Sequence, residues 1–194
     1  MIRIGITGVP GSGKTVLARA LASKCRGIKV ELVQEYARSY ILKYGNITNI
    51  SEQYHIFEKQ LDLEDSFCSN KLDLLITDSP IFLGFIYSCE LPKANLKEVM
   101  FFNDIFEKMI RLNYPIPRYH AIFHLGLEIK PIDDGIRPPQ HFDEKWRKKA
   151  DMMIQSTMEI FKPNLFYIIN QEDLDKRVDF CIEKIKKFIN NADF

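Results

Sequence analysis

Residues 8–15 read GVPGSGKT and satisfy the phosphate-loop pattern G-x-x-x-x-G-K-[ST]. In such a loop the glycines let backbone N–H groups approach phosphate oxygens, the lysine reaches the β- and γ-phosphates, and the hydroxyl residue ligates Mg²⁺. The residues predicted to contact the phosphates and their metal ion are Gly8, Pro10, Gly11, Ser12, Gly13, Lys14 and Thr15. The pattern therefore predicts binding of a nucleoside triphosphate.

Two carboxylates follow predicted strands. Asp78 ends a Leu- and Ile-rich segment, the usual place for the acid that holds the metal shell in phosphate-loop proteins. It could also cap a helix beginning at Pro80, and the two roles are compatible. Glu35 ends the preceding strand, where a carboxylate could take the proton of an attacking hydroxyl. The alternative for Glu35 is a solvated acid paired with Arg38.

A Pro-, Gly- and Asp-rich segment at 131–140 has the composition of a mobile flap and leads into a basic stretch. Phosphoryl transfer needs positive charge on the transferred group, and a closing lid that carries arginine supplies it. Arg137 is the first candidate, and Arg147 could act from the following helix. Asp133 and Asp134 could place the arginine, orient a ribose or cap that helix. The alternative is a surface loop followed by a solvated basic helix face.

Aromatic residues cluster after these segments, with Tyr36, Tyr40 and Tyr44 at helical spacing and Phe82 and Phe85 further along. They could stack a flat base or pyridine ring, but the same spacing is typical of core packing. The four histidines share no metal-binding spacing and are interpreted as structural.

Hydrophobic patterning predicts five strands that alternate with helices, which favours a parallel sheet covered on both faces. The predicted strands cover residues 2–7, 29–34, 72–77, 120–125 and 164–169. The predicted helices cover residues 16–22, 36–43, 51–70 with Ser51 as N-cap, 80–87, 95–113, 143–161 and 173–190. Ligands of such sheets bind beyond the carboxyl ends of the strands. The phosphate loop, Glu35, Asp78 and the segment after Leu125 should therefore meet at one edge.

Composition narrows the class of protein. The chain has 194 residues, 46% of them hydrophobic, which suits one domain with a good core. We expect no membrane-spanning segment and no signal peptide, and the four widely spaced cysteines favour reduced thiols in a cytoplasmic protein. A net charge of +1 leaves only a local basic patch for nucleic acid. These features suggest a small nucleotide enzyme and predict nothing about oligomeric state.

Four motifs occur in a specific order: the loop at 8–15, EYARSY at 35–40, ITDSP at 76–80 and DDGIR at 133–137. With them the chain resembles the small P-loop kinase and AAA-domain-like family that includes the nicotinamide-riboside kinase domain of bacterial NAD-biosynthesis regulators. The resemblance implies a three-layer α/β P-loop NTPase fold with a five-stranded parallel sheet in the order 2-3-1-4-5. It also implies a single kinase domain over residues 1–194, with a lid at about 127–150.

The resemblance implies ATP and Mg²⁺ as donor and a ribosyl 5′-hydroxyl or similar alcohol as acceptor. Lys14, Glu35, Asp78 and Arg137 are then the predicted catalytic residues, Thr15 and Asp78 the metal ligands, and Arg147 a further nucleotide contact. The predicted substrate contacts are Glu35, Tyr36, Arg38, Tyr40, Phe82 and Asp134. The acceptor pocket is expected from residues 36–40, 53–60 and 82–87.

Two alternatives differ in the acceptor. Some viral relatives act on hydroxymethylated bases in DNA, and a DNA acceptor could follow a track of basic side chains. That track would comprise Arg111, Arg118, Lys145, Arg147, Lys148 and Lys149. The other alternative is a nucleotide-dependent switch or regulator that needs no acceptor.

Overall fold

The computed structural model describes residues 1–25, 27–68, 71–133, 135–161, 163 and 165–189. Its strands are β1 (Ile2–Gly8), β2 (Val30–Val33), β3 (Leu74–Asp78), β4 (Ala121–Leu125) and β5 (Phe166–Ile169). Its helices are α1 (Lys14–Lys24), α2 (Tyr36–Tyr44), α3 (Ile50–Ser66), α4 (Ile81–Glu90), α5 (Leu96–Asn113), α6 (Glu144–Phe161) and α7 (Leu174–Lys186). A short 3₁₀ helix at Pro139–Phe142 precedes α6.

The five strands form one parallel sheet in the order β2-β3-β1-β4-β5, which confirms the predicted topology. In the register of this sheet Ile6 of β1 lies opposite Asp78 of β3, and Gly8 lies opposite Leu125 of β4. The carboxyl ends of the three central strands therefore meet at one edge, and the loop that follows β1 starts in the crevice there.

Two apolar layers cover the sheet. On one face α1 and α7 pack together over residues such as Ile4 and Ile6 of the central strand. On the other face α3, α4, α5 and α6 pack around a second cluster that includes Phe57 and Phe82. None of the helices in the described part of the chain has the length and apolar character needed to cross a membrane.

Several predicted boundaries need correction. The N-cap of α3 is Asn49 and not Ser51, because the Asn49 side chain accepts from the Glu52 N–H at 3.0 Å and Glu52 accepts in turn from the Asn49 N–H. This helix ends at Ser66, short of the predicted residue 70. Pro80 is the N-cap of α4 and not its first helical residue. Residues 69, 70, 164 and 190, which bounded predicted elements, lie outside the described part.

A buried ion network links the amino end of β4, at the opposite edge of the sheet, to the start of α4. Glu64, at the end of α3, accepts from the Tyr119 hydroxyl at 2.8 Å and from Arg118 Nε at 3.0 Å. The Tyr119 hydroxyl accepts in turn from the Ile81 N–H at 3.1 Å, at the start of α4. This network joins α3, α4 and the start of β4, so it supports the elements that carry the site at the other edge.

Candidate functional site

The loop after β1 has the backbone of a phosphate loop. Gly8, Gly11 and Gly13 have φ angles of 148°, 75° and 90°, which favour glycine over residues with a side chain. Gly13 is the N-cap of α1 and, as a glycine, offers no side chain to the first N–H groups of the helix. Those N–H groups and the positive end of the helix dipole form an anion-binding position at the mouth of the loop.

Lys14 and Thr15 begin α1 and lie next to Asp78. Lys14 Nζ donates to the Val9 carbonyl at 3.1 Å, within the loop itself. The Thr15 hydroxyl donates to Asp78 Oδ2 at 2.6 Å, and Asp78 Oδ1 is buried with no hydrogen-bond partner among the described residues. Burial raises the pKa of Asp78, and the charge of Glu35 raises it further. These oxygens suit a hard cation such as Mg²⁺, which takes oxygen ligands and a few carboxylates.

Glu35 is the N-cap of α2, and its side chain is buried in an ion pair with Arg137. Burial raises the pKa of Glu35, but the charges of Arg137, Lys14 and Arg38 outweigh burial and hold this pKa below its usual value. A carboxylate with a lowered pKa is ionised at neutral pH. Glu35 is therefore able to accept a proton from a group placed beside it.

The segment between β4 and α6, residues 126–143, lies on the phosphate loop. The Ile132 N–H donates to the Gly11 carbonyl at 3.0 Å. A Cβ atom at Gly11 would lie 2.9 Å from both the Ile132 carbonyl oxygen and the Phe142 ring, so only glycine permits this approach. Within the segment the Asp133 carboxylate accepts from the Gly135 N–H at 2.9 Å. The predicted site residue Asp134 lies outside the described residues.

A groove of about 480 Å³ lies beside the Glu35–Arg137 pair. Arg137 and His141 line it from the segment at 126–143, Trp146 from α6 and Tyr87 from α4. The rings of His141 and Trp146 stack with centroids 4.2 Å apart. Burial and the Arg137 charge lower the pKa of His141 to about 4, and burial raises that of Tyr87 to about 12, so both side chains are neutral near pH 7. The groove is therefore suited to a flat ring.

A smaller cavity adjoins this groove and shares Ala37, Gln53 and Tyr87 with it. Glu35 and Gln60 also line the smaller cavity. Glu35 thus lines the smaller cavity, and its ion-pair partner Arg137 lines the groove.

Four predicted substrate residues line neither cavity: Tyr36, Arg38, Tyr40 and Phe82. The Tyr36 hydroxyl hydrogen-bonds His55 Nε2 at 3.2 Å, and the Tyr40 ring packs near His55 as well. The cavities are lined instead by Ala37 and Ile41, because successive residues of a helix are about 100° apart. Phe82 is 0% exposed and packs on Tyr119 and Phe161, so it belongs to the core and the substrate prediction for it is corrected.

Arg38 and Arg147 occupy different surroundings. Arg38 acts electrostatically on both Glu35 and Asp78, as expected for a residue of the site. Arg147 is buried at the start of α6 and donates to the Ile129 carbonyl at 3.3 Å. A nucleotide contact for Arg147 stays a prediction, since its observed bond anchors the segment at 126–143.

The basic residues of the proposed DNA track do not form one surface. Arg118 is bound to Glu64 at the far edge of the sheet, and Arg147 is buried. Lys148 and Lys149 are paired with Glu144 and Glu90 at 2.6 and 2.9 Å. The predicted track is therefore not present as a continuous patch among these residues.

Sequence reasoning missed several residues near the site. Arg177, in the first turn of α7, donates to the carbonyls of Gln171 and Glu172 at 2.6 Å, and its Nη1 would lie 3.3 Å from a Cβ atom at Gly13. It therefore holds the loop after β5 close to the phosphate loop. His141 and Trp146 were likewise not predicted, and no local pattern distinguishes them from surface residues. In the described part of the chain no group of three or more His, Cys, Asp and Glu side chains could hold a metal ion.

Known proteins share the fold of this chain. A protein-family model described as an AAA domain matches residues 3–177. No curated protein matches the sequence. Among solved structures, NadR in complex with NR is 18% identical with a TM-score of 0.71, covering 97% of this chain and 51% of that chain. NadR in complex with NAD and AMP-PNP is also 18% identical, with a TM-score of 0.73, covering 100% of this chain and 51% of that chain.

Thymidylate kinase from Candida albicans is 16% identical with a TM-score of 0.66, covering 96% of this chain and 91% of that chain. At these identities the likeness shows the fold, which is that of P-loop kinases, and the chain spans about half the length of the NadR chains. With the family match extending over residues 3–177 of 194, the chain belongs to the AAA domain family of P-loop proteins.

Proposed function

We propose that this chain is a kinase that transfers the γ-phosphate of ATP to a hydroxyl group of a nucleoside-type acceptor. The observation that carries the proposal is the position of Glu35. This ionised and buried carboxylate is close enough to Lys14 of the phosphate loop to feel its charge, and it is paired with Arg137, which lines a ring-sized groove. A switch that only hydrolyses nucleotide has no need of such a groove beside its carboxylate.

The donor site consists of the phosphate loop, Lys14, Thr15 and Asp78. The loop N–H groups and Lys14 would bind the phosphates of ATP. The Thr15 hydroxyl and the unpartnered Asp78 Oδ1 would hold Mg²⁺ and its water ligands, which fits the oxygen-only donor set. When bound, the ion neutralises charge on the β- and γ-phosphates.

Transfer requires the acceptor hydroxyl to lose a proton as its oxygen attacks. Glu35 takes that proton, the new O–P bond forms to the γ-phosphorus, and the bond to the β-γ bridging oxygen breaks to release ADP. Arg137 pairs with Glu35 in the structure, so it lies next to the carboxylate that would take the proton. Its guanidinium would stabilise charge on the transferred group. The lid that brings it there would span about residues 127–150.

The acceptor would lie in the groove. Its ring would pack against the stacked His141 and Trp146 and against Tyr87, with its hydroxyl directed to Glu35. NadR, a protein of the same fold, is known in complex with NR and with AMP-PNP, which supports a paired acceptor and ATP site.

The test is transfer of label from γ-labelled ATP to a panel of acceptors: nicotinamide riboside, nucleosides, nucleoside monophosphates and hydroxymethylated DNA. We expect labelled product with at least one free nucleoside, and at least about 1,000-fold less with Lys14→Ala, which loses phosphate stabilisation while the fold remains. Hydrolysis that no acceptor changes would instead indicate a nucleotide-dependent switch. Transfer only to DNA, with steep salt dependence, would indicate a DNA acceptor.

A further inference from the structure

The first turn of α2 is capped in an unusual way. A helix N-cap side chain commonly accepts a hydrogen bond from a backbone N–H in the first turn. Glu35 occupies the N-cap of α2 but makes no such bond, and its carboxylate bonds Arg137 instead. The Tyr36 N–H, which the Glu35 side chain leaves unbonded, donates to Gln60 Oε1 at 2.8 Å. An α3 residue 24 positions along the chain thus replaces the local cap.

Gln60 is buried beside Glu35. It is 5% exposed and lines the small cavity together with Glu35. Since the Tyr36 N–H is a donor, it requires the Gln60 oxygen and not its nitrogen, and this determines the orientation of the amide. The bond joins the residue directly after Glu35 to the middle of α3, so it sets where the α2 N-terminus lies relative to the cavities.

We propose that Gln60 is a positioning residue for Glu35: by accepting the Tyr36 N–H it leaves the Glu35 carboxylate uncommitted to capping and directed at Arg137 and the acceptor. This inference rests on the proposed role of Glu35 as the base. Gln60 acts through the backbone of Tyr36, and it need not touch the acceptor itself.

The first test is Gln60→Met, which keeps the volume of the side chain and removes the accepting oxygen. We expect kcat to fall about 10- to 100-fold with the KM for ATP within about twofold, because a small displacement of a catalytic group affects the transition state most. The matched control is Asn113→Leu. Asn113 is also 5% exposed and bonds backbone, donating to the Met109 carbonyl at 2.7 Å, but it lies at the end of α5. We expect this control to lower the melting temperature and leave kcat unchanged. Equal kcat in wild type and Gln60→Met would overturn the proposal.

A second test asks whether Gln60 acts through the Tyr36 N–H. Tyr36→Ala keeps this N–H, and Tyr36→Pro removes it at the first helical position, where proline is tolerated. Both lack the ring. We expect Gln60→Met to lower kcat in the Tyr36→Ala background and to have no further effect in the Tyr36→Pro background. The same loss in both backgrounds would show that Gln60 acts by another route.

A third readout needs no activity. Hydrogen exchange of the Tyr36 amide should be slow in wild type, fast in Gln60→Met and slow in Asn113→Leu. If the wild type phosphorylates no acceptor, the proposed function fails while this amide still tests the bond. If the wild type is active and the amide exchanges equally in wild type and Gln60→Met, only the positioning role fails.

Discussion

Glu35 and Glu64 are both buried glutamates beside an arginine, at opposite edges of the same sheet. Their environments differ. Both oxygens of Glu64 are bonded, to the Tyr119 hydroxyl and to Arg118, and burial nevertheless raises its pKa. Glu35 has its pKa lowered, because Arg137, Lys14 and Arg38 more than offset its burial. The Glu64 carboxylate completes a closed network, and the Glu35 carboxylate faces a cavity.

The two edges also differ in how polar atoms are satisfied. Near Glu35, several buried polar atoms have no hydrogen-bond partner among the described residues: Ser12 Oγ, Gln60 Nε2, Asp78 Oδ1 and Ser79 Oγ. Buried polar groups of stable proteins are nearly always bonded, and leaving them otherwise destabilises the fold. Their concentration at one edge indicates a region shaped for a polar ligand. At the Glu64 edge Arg3 Nε is also without a hydrogen-bond partner among the described residues, but both oxygens of Glu64 are bonded.

Glu35→Gln should have the largest effect on kcat. We expect kcat to fall about 1,000-fold, because a general base contributes roughly 10²- to 10⁴-fold. Some loss of stability should accompany this change, because Arg137 is buried and loses its charge partner. The measurement is transfer from labelled ATP beside a melting curve, and near wild-type kcat would remove Glu35 from the role of base.

Arg137→Met should have the next largest effect. We expect kcat to fall about 100-fold through loss of charge stabilisation. The pKa of Glu35 should rise, because burial would then be opposed only by the charges of Lys14 and Arg38, so the acidic limb of the pH–rate profile should move to higher pH. An acidic limb that stays in place would show that Arg137 does not control the ionisation of Glu35.

Glu64→Gln should reverse the pattern of Glu35→Gln. We expect a loss of up to about 3 kcal/mol in unfolding free energy, because the buried Arg118 keeps only the half-exposed Asp65 as its charge partner, and an unchanged kcat. The matched control is Glu58→Gln, whose partner Lys108 is partly exposed and which should lose less than about 1 kcal/mol. Urea unfolding of both variants checks the difference, and a loss of kcat in Glu64→Gln would contradict the separation of the two edges.

The stability of wild type should also depend on pH through Glu64. Its pKa in the folded state lies above the ordinary value of 4.5, so the folded protein binds more protons than the unfolded chain just above that pH. This group therefore makes stability fall as pH rises from 4.5 through the folded pKa. Glu64→Gln should lack that slope.

The smallest expected effect concerns the start of α3. Asn49→Ala should lower the unfolding free energy by about 1 kcal/mol through loss of the capping bond. Ser51→Ala, at the residue that the sequence pattern favoured as cap, should leave it nearly unchanged. Equal effects in chemical denaturation would contradict the assignment of Asn49 as the cap.

Sequence reasoning predicted the phosphate loop, Glu35 and Asp78 correctly as residues of one edge, because each depends on a local pattern at the end of a strand. It failed where the direction of a side chain depends on how its helix is rotated against its neighbours. Tyr36 and Tyr40 have the spacing of a shared face, but the packing of α2 on α3 turns Ala37 toward the cavities instead. Phe82 was misplaced for a different reason: an aromatic side chain fits a core as well as a binding site, and its spacing does not distinguish the two.

The succession of strands and helices follows from the hydrophobic period of the sequence, and the loop at 8–15 follows from glycine, lysine and threonine at set spacings. The partners of the buried charges, in contrast, are visible only in the folded molecule. Glu35 meets Arg137 across 102 positions, and Glu64 meets Arg118 across 54. Contacts of that separation depend on how the helices pack on the sheet, and no local pattern in the chain encodes them.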